Sequence, residues 1–214
     1  IYWTTNQLRG NEETAYFGEI AYDITEDLTV SYSARYFDYE SSLVGFSGTF
    51  WWPSRYGPRG NPELNNDLQI DESDSVDKFN VSYSINDNVM VYGTYSEGYR
   101  PGGLNRLSVT AIAGAYKADI LESYELGMKG TFMDGRLRLN AAMYTQEWDD
   151  FQLSKIDTSV SVLTLTDNVG SAESDGLEID GSFLITENWD VNFGLSYIDS
   201  ELTESYWINP AGEA

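Results

Sequence analysis

The chain has 214 residues, 41% of them hydrophobic and 14% aromatic, including 16 Tyr and 6 Trp. Its 12 basic residues face 35 acidic ones, a formal charge of −23, and a field of that sign repels the phosphates of nucleic acid. The absence of Cys and His removes disulfide frameworks, thiol chemistry, zinc–sulfur sites, Ser-His-Asp catalysis and the commonest metal ligand.

No run approaches the ~18 apolar residues of a membrane-spanning helix. The dominant periodicity is that of a strand, with apolar residues on one face only. A first strand over about Thr14–Ile24 sets Tyr16, Ile20 and Tyr22 against Glu19 and Asp23, with Phe17 breaking the rule. A tight turn at Thr25-Glu26-Asp27 leads to a second, Leu28–Tyr39, in which Leu28, Val30, Tyr32, Ala34 and Tyr36 oppose Thr29, Ser31, Ser33 and Arg35. A long loop over Glu40–Ser75 precedes a third strand, with Phe79, Val81, Tyr83 and Ile85 opposite Lys78, Asn80, Ser82 and Ser84. After the turn at Asn86-Asp87-Asn88, whose residues tolerate positive φ, comes a fourth with Val89, Val91 and Tyr95 on one face.

A second long loop, Gly98–Asp119, leads to a fifth strand carrying Tyr124, Leu126, Met128 and Phe132. Asp134-Gly135 predicts a two-residue hairpin turn. The sixth strand sets Leu137, Leu139, Ala141 and Met143 against Arg138, Asn140, Tyr144 and Gln146. The third long loop covers Asp150–Asp167. A seventh strand (Leu177, Ile179, Phe183, Ile185), a turn at Thr186-Glu187-Asn188, and an eighth strand (Val191, Phe193, Leu195, Tyr197) complete the pattern. Short turns alternate strictly with long loops. A bacterial outer-membrane barrel has this asymmetry, and strands of ~9–11 residues suffice to span it. The expected fold is all-β: an antiparallel, up-and-down transmembrane barrel segment of about eight strands in four hairpins.

Several strings go further. Tyr92–Asn105, with Tyr99-Arg100-Pro101-Gly102-Gly103 inside it, resembles a segment of TonB-dependent outer-membrane receptors. So do Glu122–Gly130 with the Asp134-Gly135 turn, Arg136–Trp148, Asn168–Glu178 and Leu195–Asp199, in matching order from about Glu13 to Glu204. The resemblance implies an arc of a barrel of about 22 strands whose lumen holds a plug domain. Residues 1–214 would then be one partial barrel domain, without the plug, the final strands or the N-terminal parts that engage TonB. It implies a receptor of the bacterial outer membrane for energised uptake of a scarce nutrient. A ferric siderophore is the cargo the Tyr99–Gly103 string most resembles. The implied partners are membrane lipid and lipopolysaccharide, the plug, TonB and the small-molecule ligand.

Candidate ligand-binding residues follow from chemistry. Arg100 and Arg106 offer planar forks of donors to an anionic siderophore, or pair with neighbouring acids in the loop. Trp51, Trp52 and Tyr56 lie among prolines in the longest loop; they could clasp an aromatic or sugar-like ligand, or pack the loop and girdle. Trp148 and Phe151 read as interfacial anchors. Asp71, Glu72, Asp74 and Asp77 supply oxygens of the kind Ca²⁺ takes but lack the spacing and turn glycine of an EF-hand. They read as solvated loop or as divalent bridges to surface lipid. Lumenal Arg35, Lys78, Lys129 and Arg138 are expected to pair with acids such as Glu125 and Glu178. Carboxylates are plentiful, yet nothing marks two as a glycosidase pair. No catalytic residue, resident metal or cofactor is expected, and the chain reads as a non-enzyme. Two rivals stand beside this reading: a complete eight-stranded outer-membrane barrel with a structural or adhesive role, and a soluble β-sandwich acting as a carbohydrate-binding module through Trp51 and Trp52.

Overall fold

A computed structural model describes residues 4–48, 65–105, 114–156 and 164–204. Its elements are strands: β1 (Thr4–Asp23), β2 (Leu28–Gly48), β3 (Asn65–Asn86), β4 (Val89–Arg100), β5 (Gly103–Leu104), β6 (Ala115–Tyr116), β7 (Asp119–Phe132), β8 (Leu137–Asp149), β9 (Gln152–Lys155), β10 (Leu165–Asn168), β11 (Ala172–Thr186) and β12 (Trp189–Leu202). Eight of them form one antiparallel sheet in the order β1-β2-β3-β4-β7-β8-β11-β12, while β5/β6 and β9/β10 are two-stranded sheets within the long loops. Among the described residues β1 pairs only with β2, and β12 only with β11, so the wall they form is an open arc rather than a closed ring. A closed eight-stranded barrel is therefore not what these residues form. Nor do the described residues form a second large sheet facing the first, as a sandwich requires.

Register shows why one face of this arc is apolar. Following partner to partner, Tyr22, Val30, Val81, Gly93, Leu126, Met143, Leu177 and Tyr197 form one row across all eight strands. One residue along each strand, the row is Asp23, Thr29, Ser82, Tyr92, Gly127, Ala142, Glu178 and Ser196. A strand's side chains alternate faces, so a slip of one residue anywhere would mix these sets. The apolar set predicted on every strand thus lies on one continuous surface. Its large members stand exposed, among them Ile20, Phe79, Leu126, Leu195 and Tyr197.

The turns work mostly as their residues suggest. At the β7–β8 turn the Arg136 amide donates to the Met133 carbonyl at 3.2 Å around Asp134 (φ 56°) and Gly135 (φ 86°), the positive-φ pair a type I′ turn demands. Met133 shares that conformation (φ 56°), so the connection runs to four residues between Phe132 and Leu137 rather than two. Asn86–Asn88 adopt no positive φ; the Asn86 side chain instead accepts the Asn88 amide at 2.9 Å. Thr25 Oγ1 caps its turn in the same way, accepting from the amides of Asp27 and Leu28.

The largest departure from expectation lies at the loop end. Most of the described part of Glu40–Ser75 is strand, because β1, β2 and β3 run for 20, 21 and 22 residues. Twenty-one residues reach roughly 70 Å, more than twice a bilayer's hydrocarbon core. The added length is mostly polar, and its few apolar residues, among them Leu8, Leu43, Val44, Leu68 and Ile70, make no alternating run long enough to announce a strand, while the backbone ladder continues: Ser41 pairs with Asn11 and Ile70, and Glu40 with Glu12 and Asp71. Beyond Lys78–Ser96, β3 stays with β2 while β4 stays with β7. Tyr99 of β4 then stacks on Phe37 of β2, rings 3.6 Å apart and nearly parallel.

Glycine and aromatic residues interlock on the lumenal face. Gly127 sits opposite Tyr92, and Gly176 opposite Tyr144; a Cβ on either glycine would run into that ring. The Tyr92 hydroxyl, lying across Gly127, donates to Glu125 Oε1 at 2.6 Å. Gly127→Val should cost about 1–3 kcal/mol through overpacking. The cost should shrink in a Tyr92→Ala background, where the ring is gone. Urea unfolding of the full-length receptor carrying the single and double substitutions checks this; an undiminished cost would mean the ring is not the obstacle.

Candidate functional site

The buried apolar residues lie where the loops cover the lumenal face, not along the wall. Phe37, Leu43, Leu104, Leu165 and Val169 are nearly inaccessible. β5 packs against β2 and β3, and β10 against β6, so both loop hairpins lie over the lumenal side of the extended wall.

A knot of side-chain-to-backbone bonds holds them there. Asp119 is fully buried and pairs with the Arg100 guanidinium. It also accepts the Gln152 amide at 3.0 Å. Arg100 donates a further bond to the Gln152 carbonyl at 3.0 Å, and its guanidinium lies 5.6 Å from the Phe151 ring. The Gln152 side chain returns donors to the carbonyls of Arg100, Pro101 and Lys117. Asn168 accepts the Lys117 amide and donates to the carbonyls of Lys117 and Asp150. Asn105 pairs both ways with the backbone of Thr166, at 2.8 and 2.9 Å. Glu72 accepts the amides of Gly102 and Ala118, and Arg9 donates to the Leu104 carbonyl at 2.9 Å. Chain reversals stripped of water need such partners for their backbone groups.

Arg100 is thus part of the scaffold, yet half its side chain remains accessible at the mouth (50%). Arg106, Trp51, Trp52 and Tyr56 lie outside the described residues. Trp148 belongs to the lumenal row of β8, edge-on to Phe151 at 5.6 Å, so it packs the knot rather than anchoring in lipid. The acidic run predicted as loop lies on β3, and alternation splits it: Glu72 and Asp74 on the lumenal face, Asp71 and Asp77 outward. Glu72 is committed to the loop amides.

Among the lumenal cations, Arg35 finds an acid of its own face, as expected. Arg35 pairs with Glu13 and lies 5.8 Å from the Tyr99 ring, while Lys129 lies 5.5 Å from the Tyr92 ring. Phe17 faces the lumen, 85% exposed, beside a depression of about 460 Å³ that Glu19, Ser33, Arg35, Val76 and Lys78 also line. Sequence reasoning missed Asp119, Gln152, Asn105 and Asn168, the residues that fix the loops. An unusual density of Asn, Gln and Asp flanking short loop strands was the only available sign.

An open antiparallel arc, apolar outside and polar inside, with loops folded over its inner mouth, is the wall of a large membrane barrel. The sequence profile of the family described as TonB dependent receptor-like, beta-barrel matches residues 2–212, and the chain belongs to that family. Its place is the outer membrane of Gram-negative bacteria. It is 29% identical over 131 residues to the probable TonB-dependent siderophore receptor PiuA of Acinetobacter baumannii, covering 58% of this chain and 17% of that receptor. With the ferric-pyoverdine 358 receptor of Pseudomonas putida the identity is 25% over 203 residues, 94% of this chain and 23% of the receptor. The solved ferric yersiniabactin uptake receptor FyuA from Yersinia pestis shares the fold with a TM-score of 0.77 at 20% identity, over 94% of this chain and 29% of that one. The chain spans about a fifth of the length of these curated relatives.

Proposed function

We propose that this segment forms eight strands of the wall of a receptor that takes up a ferric siderophore with energy delivered through TonB. The observation that carries the reading is the match to receptors named for siderophores across nearly the whole chain. The covered mouth agrees with it, since a rigid loop layer presenting the open half of Arg100 suits capture of an anionic chelate. In this reading Arg106, Trp51, Trp52 and Tyr56 add ligand contacts. The plug docks on the lumenal wall around Phe17, Arg35 and Lys78, TonB engages the receptor through its N-terminal part, and lipopolysaccharide and lipid surround the outer face. The segment performs no catalysis and carries no resident cofactor.

The test is iron uptake by the full-length receptor in cells stripped of other siderophore receptors. A panel of hydroxamate, catecholate and mixed ferric siderophores should include one that is taken up, and deleting TonB should abolish that uptake. Uptake that persists without TonB, or no uptake across the panel, would refute the proposal.

A further inference from the structure

Lys78 stands in the lumen without an acid. It lines the depression of about 460 Å³ beside Phe17 and has no ion pair or hydrogen bond among the described residues, in a chain with 35 acidic side chains. The other charged groups around it are committed. Glu19 accepts the Ser33 hydroxyl at 2.8 Å. At the rung where β4 has left β3, Glu97 accepts the Asp77 amide at 3.0 Å and the Tyr95 hydroxyl. Arg35, the second cation of the depression, is drawn toward the mouth by Glu13 and the Tyr99 ring. Lys78 is therefore the one lining cation left to answer a charge from outside these residues.

Beside it lies apolar surface on a largely polar face. Phe17 leaves 85% of its surface exposed, and Val76 continues the patch along the row Phe17, Arg35 and Val76. An exposed ring next to an unanswered cation calls for cover that is apolar and acidic together. The chain spans about a fifth of the length of its curated relatives, so most of such a receptor lies outside these residues. Elsewhere the wall offers no like combination: the lumenal rows of β11 and β12 carry neither ring nor cation.

We infer that the plug is anchored on the β1–β3 side of the wall by a segment that sets an apolar side chain on Phe17 and a carboxylate against Lys78. This rests on the reading of the chain as the wall of a plugged barrel, and adds where the plug is held and by what chemistry. The apolar side chain takes Phe17 and Val76 out of water. The carboxylate meets Lys78 in a crevice that the plug itself closes, where a charge pair is stronger than at an open surface. Glu19 and Glu97 repel an acid placed anywhere else in the depression, which fixes the register of the segment.

A photoactivatable benzophenone side chain, placed in the full-length receptor separately at Phe17, Val76 and Ser196, tests this in cells lacking TonB. Positions 17 and 76 should cross-link to the plug, at a peptide with an Asp or Glu within a few residues of the joined apolar side chain. Cross-linking to the plug from position 196 but from neither 17 nor 76 would overturn the anchor and leave the plugged-barrel reading standing. No plug cross-link from any of the three would remove both. A joined peptide without an acid would overturn the carboxylate. In the same cells Lys78→Met should raise influx of a bulky glycopeptide antibiotic by about fivefold, the ratio that ~1 kcal/mol of lost plug contact gives. Arg138→Met, which removes a lumenal cation outside the depression, should leave influx unchanged. No rise with Lys78→Met, or an equal rise with Arg138→Met, would overturn the role given to Lys78.

Discussion

Ile179→Arg should destabilise the full-length receptor by about 2–4 kcal/mol, because it sets a guanidinium at mid-depth in the lipid-facing surface. Ile179 lies at the centre of β11 (Ala172–Thr186), on the outward face between Ala141 and Leu195. Leu139→Arg lies one row nearer the turns, where a long side chain reaches the interface, so its cost should be smaller. Asn140→Arg, the next residue along the same strand, points into the lumen. There Asn140 donates to Asp180 Oδ2 at 2.9 Å, and an arginine would find the same carboxylate as a counter-ion. Its cost should be near zero. Reversible urea unfolding in phospholipid vesicles measures all three. Equal costs at positions 139 and 140 would mean that the strand register, and with it the division into lipid and lumen faces, is wrong.

That division was the legible part of the fold. Leu137, Leu139, Ala141 and Met143 announce a face because each alternates with a polar neighbour, and hairpin turns between adjacent strands leave few alternatives for their order. Two features were not legible, for different reasons. The upper halves of β1, β2 and β3 are mostly polar, and apolar residues such as Leu43, Leu68 and Ile70 make only short stretches among them; the ladder there is largely a backbone property, and side-chain periodicity barely records it. The loop knot depends on partners far apart in sequence. Gln152 reaches Pro101 across 51 positions, and Asn105 reaches Thr166 across 61. No local pattern encodes such pairs. Arg100 shows both sides of this limit. Its loop and its chemistry could be named from sequence, whereas its attachment to Asp119 and Gln152 needed the fold.

Arg100→Ala should loosen the mouth more than Asp119→Ala does. Asp119 is buried completely, whereas Arg100 is half accessible, so the two truncations leave unequal remnants. Without Arg100, the Asp119 carboxylate, buried in the intact structure, keeps only the Gln152 amide among the described residues. Breaking a buried pair in this way costs about 3–5 kcal/mol. Without Asp119, the guanidinium can turn to solvent. It follows that Arg100→Ala/Asp119→Ala should be less disruptive than Arg100→Ala alone. Arg100→Lys should fall between, since an ammonium lacks the fork that serves Asp119 and the Gln152 carbonyl together. The effect is local, so hydrogen exchange at the Gly102, Lys117 and Ala118 amides, now held by Glu72 and Asn168, reads it more directly than global unfolding. A double variant as exposed as the single would show that the carboxylate is not the stranded group. Uptake then separates scaffold from ligand contact. If Arg100 acts only by ordering the loops, Gln152→Leu, which removes the side-chain donors to Arg100, Pro101 and Lys117, should reproduce its defect. If the open half of the guanidinium also holds the ligand, the Arg100 variants should lose uptake beyond what their loop disorder accounts for.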